Sequence, residues 1–479
     1  MRCRIPAVAV LAAAIAVPAA AQIPGGLPAQ SAPQAPPAMP RPSQPQTNPF
    51  MGGVPKGTVQ PGPLNLSLKD AVQRALQNNL GLLVQEESAA SAHGARWRAL
   101  SDLLPNVSSS LTESRQVINL QAYGFPANPP IVGPFNVFDA RMFVSQPVVN
   151  LSALNGARAA SYDEQAAKYG IKSARDLVVL VAVNLYLEGV SAQSRVQMTQ
   201  AQQDTADALL KQAQDLKGGG LVAGIDVLRA QVQVQTERQR IIAAQNEFEK
   251  VKLQLARAVG IPVAQPITLT DKIPYAPMPS LTLEDALNRA LTTRPDYLAA
   301  ETHEKAAEAD ARAASDALLP SVRVDANYGA IGQTVSEAHS TYTLSASLQV
   351  PIFDAGRTVA RRIEATAALR ESQAELADLK SSVEYDVRAA LLDARAAEQQ
   401  LQAAQTNVQL AASELQEARD RFAAGVVSNL EVTQAQEAVA TANDTYISAL
   451  YAHNLAKASL ARAMGIAESA VTGYLGGLQ

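Results

Sequence analysis

Leu66-Ser-Leu-Lys-Asp-Ala-Val-Gln-Arg-Ala-Leu76 returns along the chain as Leu281-Thr-Leu-Glu-Asp-Ala-Leu-Asn-Arg-Ala-Leu291. Leu103-Leu-Pro-Asn-Val107 returns as Leu318-Leu-Pro-Ser-Val322 at the same spacing of 215 residues (66 to 281, 103 to 318). Leu255-Ala-Arg-Ala-Val-Gly-Ile261 returns as Leu460-Ala-Arg-Ala-Met-Gly-Ile466, 205 residues on (255 to 460). Landmarks repeated in one order make the chain a duplication, and such a period governs the reading of every element inside it. The first repeat spans 64–262, the second 281–468, with 263–280 between them and a tail at 469–479. The drop from 215 to 205 places an insertion in the first copy, after Pro105.

Each repeat opens with a short amphipathic helix, Leu68–Asn79 and Leu283–Thr293. Ser67 and Thr282 are the expected N-caps, with Asp70 and Asp285 three residues on. A second helix, 82–104 or 296–319, is stopped by Pro105 or Pro320.

Period-2 segments follow. Val322, Val324, Ala326, Tyr328 and Ala330 alternate with Arg323, Asp325 and Asn327. Tyr342, Leu344, Ala346, Leu348 and Val350 alternate with Thr343, Ser345, Ser347 and Gln349. In the first copy Phe138, Ala140, Met142 and Val144 oppose Asp139, Arg141 and Ser145, while 107–120 is less regular. Such alternation predicts strands with one apolar and one polar face. The segment 123–135 reads as the inserted loop, and Pro147 and Pro351 as the ends of the strand pairs.

Long helices are expected over 152–217 and 355–424, each turning back through a Gly-containing tip into a helix that stops at Gly260 or Gly465. Val387, Ala394, Leu401, Val408, Leu415 and Phe422 keep a seven-residue period beside Ala390, Ala397, Ala404, Ala411 and Ala418. The last helix repeats it with Val432, Val439, Tyr446, His453 and Leu460. Such seams predict helices packed side by side at close separation. Fold class is therefore mainly α with a small β part.

Residues 1–21 read as a secretory signal, with Arg2 and Arg4, the apolar run 7–17 and the small-residue site 19–21. Cys3, the sole cysteine, leaves with it, so the mature chain has no disulfide and no thiolate metal site. Formal charge moves from −4 to −6 with the loss of the two arginines, and a mildly acidic chain with one Trp has no nucleic-acid footprint. Residues 22–63, rich in Pro and Gln, read as a linker.

Several signals have simpler readings. His303-Glu304 begins like a zinc-protease signature, but Ala307 fills the second histidine position. Gly218–Gly224 lacks the Gly-Lys-Ser/Thr ending of a phosphate loop and reads as a turn. His453 stands on a heptad core site and is assigned to packing. No catalytic grouping, cofactor site or metal site is readable.

Open sheet edges are not tolerated in lipid, so four strands cannot form a membrane barrel alone. Several copies must contribute; three would give twelve strands. A secreted coiled-coil scaffold or adaptor explains the heptads but leaves the duplicated period-2 segments without a role, and an exported enzyme has only the signal in its favour.

The order of Leu-Ser-Leu-x-Asp-Ala helix, Leu-Leu-Pro, strand pair, Pro-Val-Val-Asn-Leu (147–151) or Pro-Ile-Phe-Asp-Ala-Gly-Arg (351–357), long hairpin and Leu-Ala-Arg-Ala-x-Gly-Ile resembles the TolC-like outer-membrane efflux proteins over about 64–468. The resemblance implies a homotrimer, with a twelve-stranded barrel in the outer-membrane lipid and a twelve-helix tunnel in the periplasm. It also implies a periplasmic adaptor and an inner-membrane pump as partners. Drug, metal, protein and polysaccharide export all fit the pattern.

By the same resemblance, Asp226 matches the family's first-tip aspartate. Glu431 and Gln434 replace two ring aspartates, making Asp226, Glu431 and Gln434 the expected periplasmic gate. Phe422 lacks the family's tyrosine hydroxyl, and Val427 stands where some members carry an arginine. Gly219, Gly220 and Leu221 with Ala424, Gly425 and Val426 are the expected adaptor-docking tips.

Overall fold

The structure is a computed structural model describing residues 48–126, 128–220, 222–271, 275–278, 280–424 and 426–474. The signal segment and most of the 22–63 linker lie outside these residues. The first repeat runs β1 (Leu64–Leu66), α1 (Leu68–Asn78), α2 (Leu80–Ser101), β2 (Asn106–Asn119), β3 (Ile131–Val149), α3 (Leu151–Gly218) and α4 (Gly224–Val259). β4 (Ile267–Leu269) lies between the repeats, and the second runs α5 (Leu283–Thr293), α6 (Pro295–Asp316), β5 (Ser321–Gly332), β6 (His339–Gln349), α7 (Arg357–Ala423) and α8 (Asn429–Ala463), followed by α9 (Ala467–Tyr474).

The caps form as the residue types dictate. Ser67 Oγ accepts from the Asp70 amide at 3.1 Å and donates to the Asp70 carboxylate at 2.7 Å. Thr282 and Asp285 repeat both bonds, at 3.1 and 2.6 Å. These satisfy donors that a helix start leaves open. Gly260 ends α4 at φ 71° and Gly465 follows α8 at φ 69°, the left-handed conformation that a residue without Cβ reaches most easily.

The four longer strands form one antiparallel sheet in the order β2-β3-β5-β6. Its register carries the two faces across all four strands. Val107, Val144, Ala326 and Leu344 align in one row, and Ser109, Met142, Tyr328 and Tyr342 in the next. The rows between them hold polar groups such as Ser110, Arg141 and Thr341, and Ser145 donates to Asp325 at 2.7 Å. Phe143 falls on that polar face, where the Arg141 guanidinium lies 5.3 Å from its ring centre.

Two expectations for the first strand pair are corrected. Pro147 does not end it: β3 continues to Val149 across a register shift between Pro147 and Val149, and such an irregularity accommodates a residue without an amide donor. The loop 123–135 is also shorter than expected, because Ile131–Phe135 already belongs to β3. Pro134 is tolerated there because β5 joins β3 only from Phe138 onward, leaving that stretch of β3 paired on one side.

Midway along the chain the helices meet a packed core. Val178, Val179, Ala182, Val183, Tyr186, Leu187 and Val190 of α3 are buried with Leu66, Leu68, Leu255, Val259 and Leu269. A second cluster joins Ala286, Ala290, Val383, Val387 and Leu460. The parallel pair β1–β4, three residues each, ties the two repeats together; nothing in the periodicity announced it. Tyr186 lies within hydrogen-bonding distance of Leu66 O at 3.0 Å and Asp271 Oδ2 at 2.7 Å, and burial together with that carboxylate raises its pKa.

The described end of the linker docks on this core. Val54 N donates to Asn78 O at 2.8 Å and Lys56 N to Gly260 O at 3.1 Å. The Phe50 ring covers Gly81, where an added Cβ would come within 2.4 Å of it. One aromatic residue among prolines and glutamines gave no period to read. The tail differs too, since its first residues belong to α9.

Candidate functional site at the hairpin tips

Below the core α3 packs against α4 and α8, and α7 against α8. The Ala row of α7, Ala390, Ala397, Ala404, Ala411 and Ala418, is buried throughout, as are Val387, Ala394, Leu401 and Phe422 beside it. Small side chains on a seven-residue repeat let neighbouring helices approach along their whole length.

Both hairpins end at one level. Leu209 of α3, Ala418 and Phe422 of α7, and Val432 and Ala435 of α8 form a small core there. Phe422 works as an apolar plug that needs no hydroxyl. Gly219 caps α3, its amide donating to Asp215 O at 3.1 Å. Gly220 turns the chain at φ 73°. Ala424 caps α7, and Val426 is exposed with its amide donating to Arg421 O. Leu221 and Gly425 lie outside the described residues.

The acids expected at the gate do not occupy equivalent surroundings. Asp226 is buried in the first turn of α4, and its carboxylate meets Arg229 at 3.4 Å. Its backbone carbonyl accepts from Asn429 Nδ2 at 3.1 Å, so a bond crosses between the two tips through the main chain. Glu431 is half-exposed in the first turn of α8 and pairs with Arg421 at 2.7 Å. Gln434 is exposed one turn further on. Asp226 and Glu431 are not bonded to each other within one chain.

Arg421 and Asn429 escaped the sequence reading. The family's arginine position holds Val427 here, yet Arg421 supplies a guanidinium from the opposite side of the turn. A pairing across ten residues depends on a tip conformation that no periodicity encodes.

Above the tips a polar belt crosses the wall. Arg240 of α4 reaches Glu437 of α8 at 2.6 Å and Glu237 at 3.0 Å, while Gln233 donates to Glu237 at 2.7 Å. Burial raises the Glu237 pKa, against the pull of Arg240. Arg195 of α3 meets Asp444 and Ser448, both at 2.8 Å. His453, fully buried, lies with Lys457 against the Ala276 carbonyl, at 3.1 and 3.0 Å. It is a packing residue that also pins the inter-repeat segment.

The sheet presents the opposite chemistry. Leu111, Tyr328, Tyr342, Leu344 and Leu348 are each at least 66% exposed in the single chain. An apolar face of that size on an open sheet, opposite a polar face, has the alternating pattern of a transmembrane barrel wall.

Residues 286–466 match the family described as outer membrane efflux protein. The pyoverdine export outer membrane protein OpmQ of Pseudomonas aeruginosa is 22% identical over 422 residues, covering 83% of this chain and 85% of its own length. The alkaline protease secretion protein AprF of the same organism is 22% identical over 418 residues, covering 85% of each chain. The outer membrane protein VceC of Vibrio cholerae shares the fold with a TM-score of 0.72 at 17% identity, over 83% of this chain and 96% of that one. This chain thus has relatives named for export and secretion and a structural neighbour named for the outer membrane. Its relatives are channels rather than enzymes.

Proposed function

We propose that three copies join edge to edge, β6 of one beside β2 of the next, into a twelve-stranded barrel continuous with a twelve-helix tunnel. The observation that carries this is the pair of open edges on a sheet whose apolar face is uncovered, a combination that lipid excludes unless the ring closes. Exposed Leu228, Val232 and Ile242 on α4, with Tyr385, Leu392 and Leu410 on α7, give the helical wall matching apolar flanks for the same contact. Cyclic symmetry satisfies all of these surfaces with one interface.

In this reading the repeats 64–262 and 281–468 each supply one strand pair and one hairpin. Asp226, Glu431 and Gln434 ring the periplasmic entrance. Gly219, Gly220, Leu221, Ala424, Gly425 and Val426 offer small tips to a periplasmic adaptor, which couples the conduit to an inner-membrane pump. Relatives named for pyoverdine export and for alkaline protease secretion share the architecture, so cargo selection belongs to the pump. Purified protein in a planar bilayer tests the reading. Discrete conductance steps from a three-chain particle are expected; a water-soluble monomer without channel activity would contradict it.

A further inference from the structure

The stretch Pro351-Ile-Phe-Asp-Ala-Gly-Arg357 carries part of the family resemblance, yet conduction uses none of it. It leaves the sheet directly after β6. Ile352 and Phe353 are 94% and 89% exposed, more than any other large apolar side chain among the described residues. The turn that holds them is well fixed. Asp354 accepts from the Gly356 amide at 3.1 Å, from the Thr358 amide at 2.8 Å, and from the Thr358 hydroxyl. Ala355 and Gly356 are both left-handed, at φ 54° and 84°, and a residue with a Cβ stays there only when its surroundings impose it. The apolar pair is therefore presented outward by a defined turn.

Two arginines follow. The side chains of Arg357 and Arg362 have no hydrogen bond or ion pair among the described residues. The first turn of α7 holds no acid, and Arg357 stands where the helix dipole disfavours a cation. A bound anion would offset that unfavourable placement. The first repeat presents a weaker version: Val148 and Val149 are 59% and 43% exposed, Val149 is paired with Val322, and Arg158 donates to Asn155 at 3.1 Å.

We propose that this turn anchors phospholipid of the periplasmic leaflet, resting on the outer-membrane barrel proposed above. Ile352 and Phe353 enter the acyl border, and Arg357 and Arg362 hold headgroup phosphates, for which the guanidinium fork is suited. The position fits, because the apolar row Tyr342, Leu344 and Leu348 runs down β6 to this turn, where the lipid-facing band ends. A neighbouring copy fits less well. Just ahead of its β2 (Asn106–Asn119) stands a single acid, Asp102, one carboxylate against two arginines.

The test places a fluorophore at the knob. Phe353→Trp, in a Trp97→Phe background that removes the native tryptophan, is reconstituted in phosphatidylethanolamine–phosphatidylglycerol vesicles with acyl chains brominated near the headgroup. Leu344→Trp serves as the barrel control. Quenching of both is expected. Quenching at 344 without quenching at 353 overturns the anchor and leaves the channel standing; quenching at neither overturns the outer-membrane reading and the anchor with it. Arg357→Gln combined with Arg362→Gln should retain several-fold less phosphatidylglycerol per chain after detergent extraction. Unchanged retention overturns the phosphate contact.

Discussion

Glu431 and Arg421 meet across ten residues of chain at 2.7 Å, while Asp226 turns inward to Arg229 at 3.4 Å. If three copies share an axis, the Glu431 carboxylates are the more accessible ring, and such rings draw cations. Glu431→Gln with Asp226→Asn is expected to lower cation preference in planar bilayers without disturbing assembly. Unchanged selectivity would make both acids ordinary helix-start charges. A second residue-scale effect belongs to Glu164, buried on α3 and held by Lys168, Arg96 and His93. Those partners lower its pKa from 4.5 to about 2. A carboxylate depressed on folding stabilises fully above its unfolded pKa and loses that contribution as pH falls. Glu164→Gln should cost about 1–3 kcal/mol at neutral pH by leaving charged donors without their acceptor. Melting curves should show the gap to wild type closing between pH 4.5 and about 2; a gap independent of pH would assign the loss to packing.

Elements were more legible than contacts. The α7 seam was read from a seven-residue period, and each of its alanines from Ala390 to Ala418 is buried. Ala404→Leu should therefore overpack at a cost of about 1–3 kcal/mol, seen as a lower melting temperature of the extracted protein. An unchanged midpoint would show that the seam has room. Strand ends were harder. Proline normally stops a ladder, so Pro147 read as a terminus, but a register shift lets β3 run through it. The pair β1–β4 is too short to show a period, and Phe50 finds Gly81 through a contact that no local rule predicts. At the tips, the family resemblance pointed to Asp226 and Glu431, whereas the contacts of Arg421 and Asn429 needed the folded turn.

At the scale of the molecule, one chain presents two chemistries that a single solvent cannot satisfy. Its sheet exposes Leu344 and Tyr342 on one face while its helices turn glutamine, aspartate and arginine outward. Lipid around the strands and water around the helices resolve the conflict only if the edges of β2 and β6 find partners. Cys3 is the sole cysteine of the sequence, so with Cys3→Ser in place those edges can be addressed singly. Ser110→Cys on β2 is combined in turn with Thr341→Cys, Thr343→Cys or Ser345→Cys on β6, and the membranes are oxidised. The most direct measurement is the resulting ladder on a non-reducing gel. Joining of β6 to a neighbour's β2 in a closed ring predicts that at least one pairing yields a ladder ending at three chains. A ladder that ends at two, climbs past three, or fails to form at every register would contradict it.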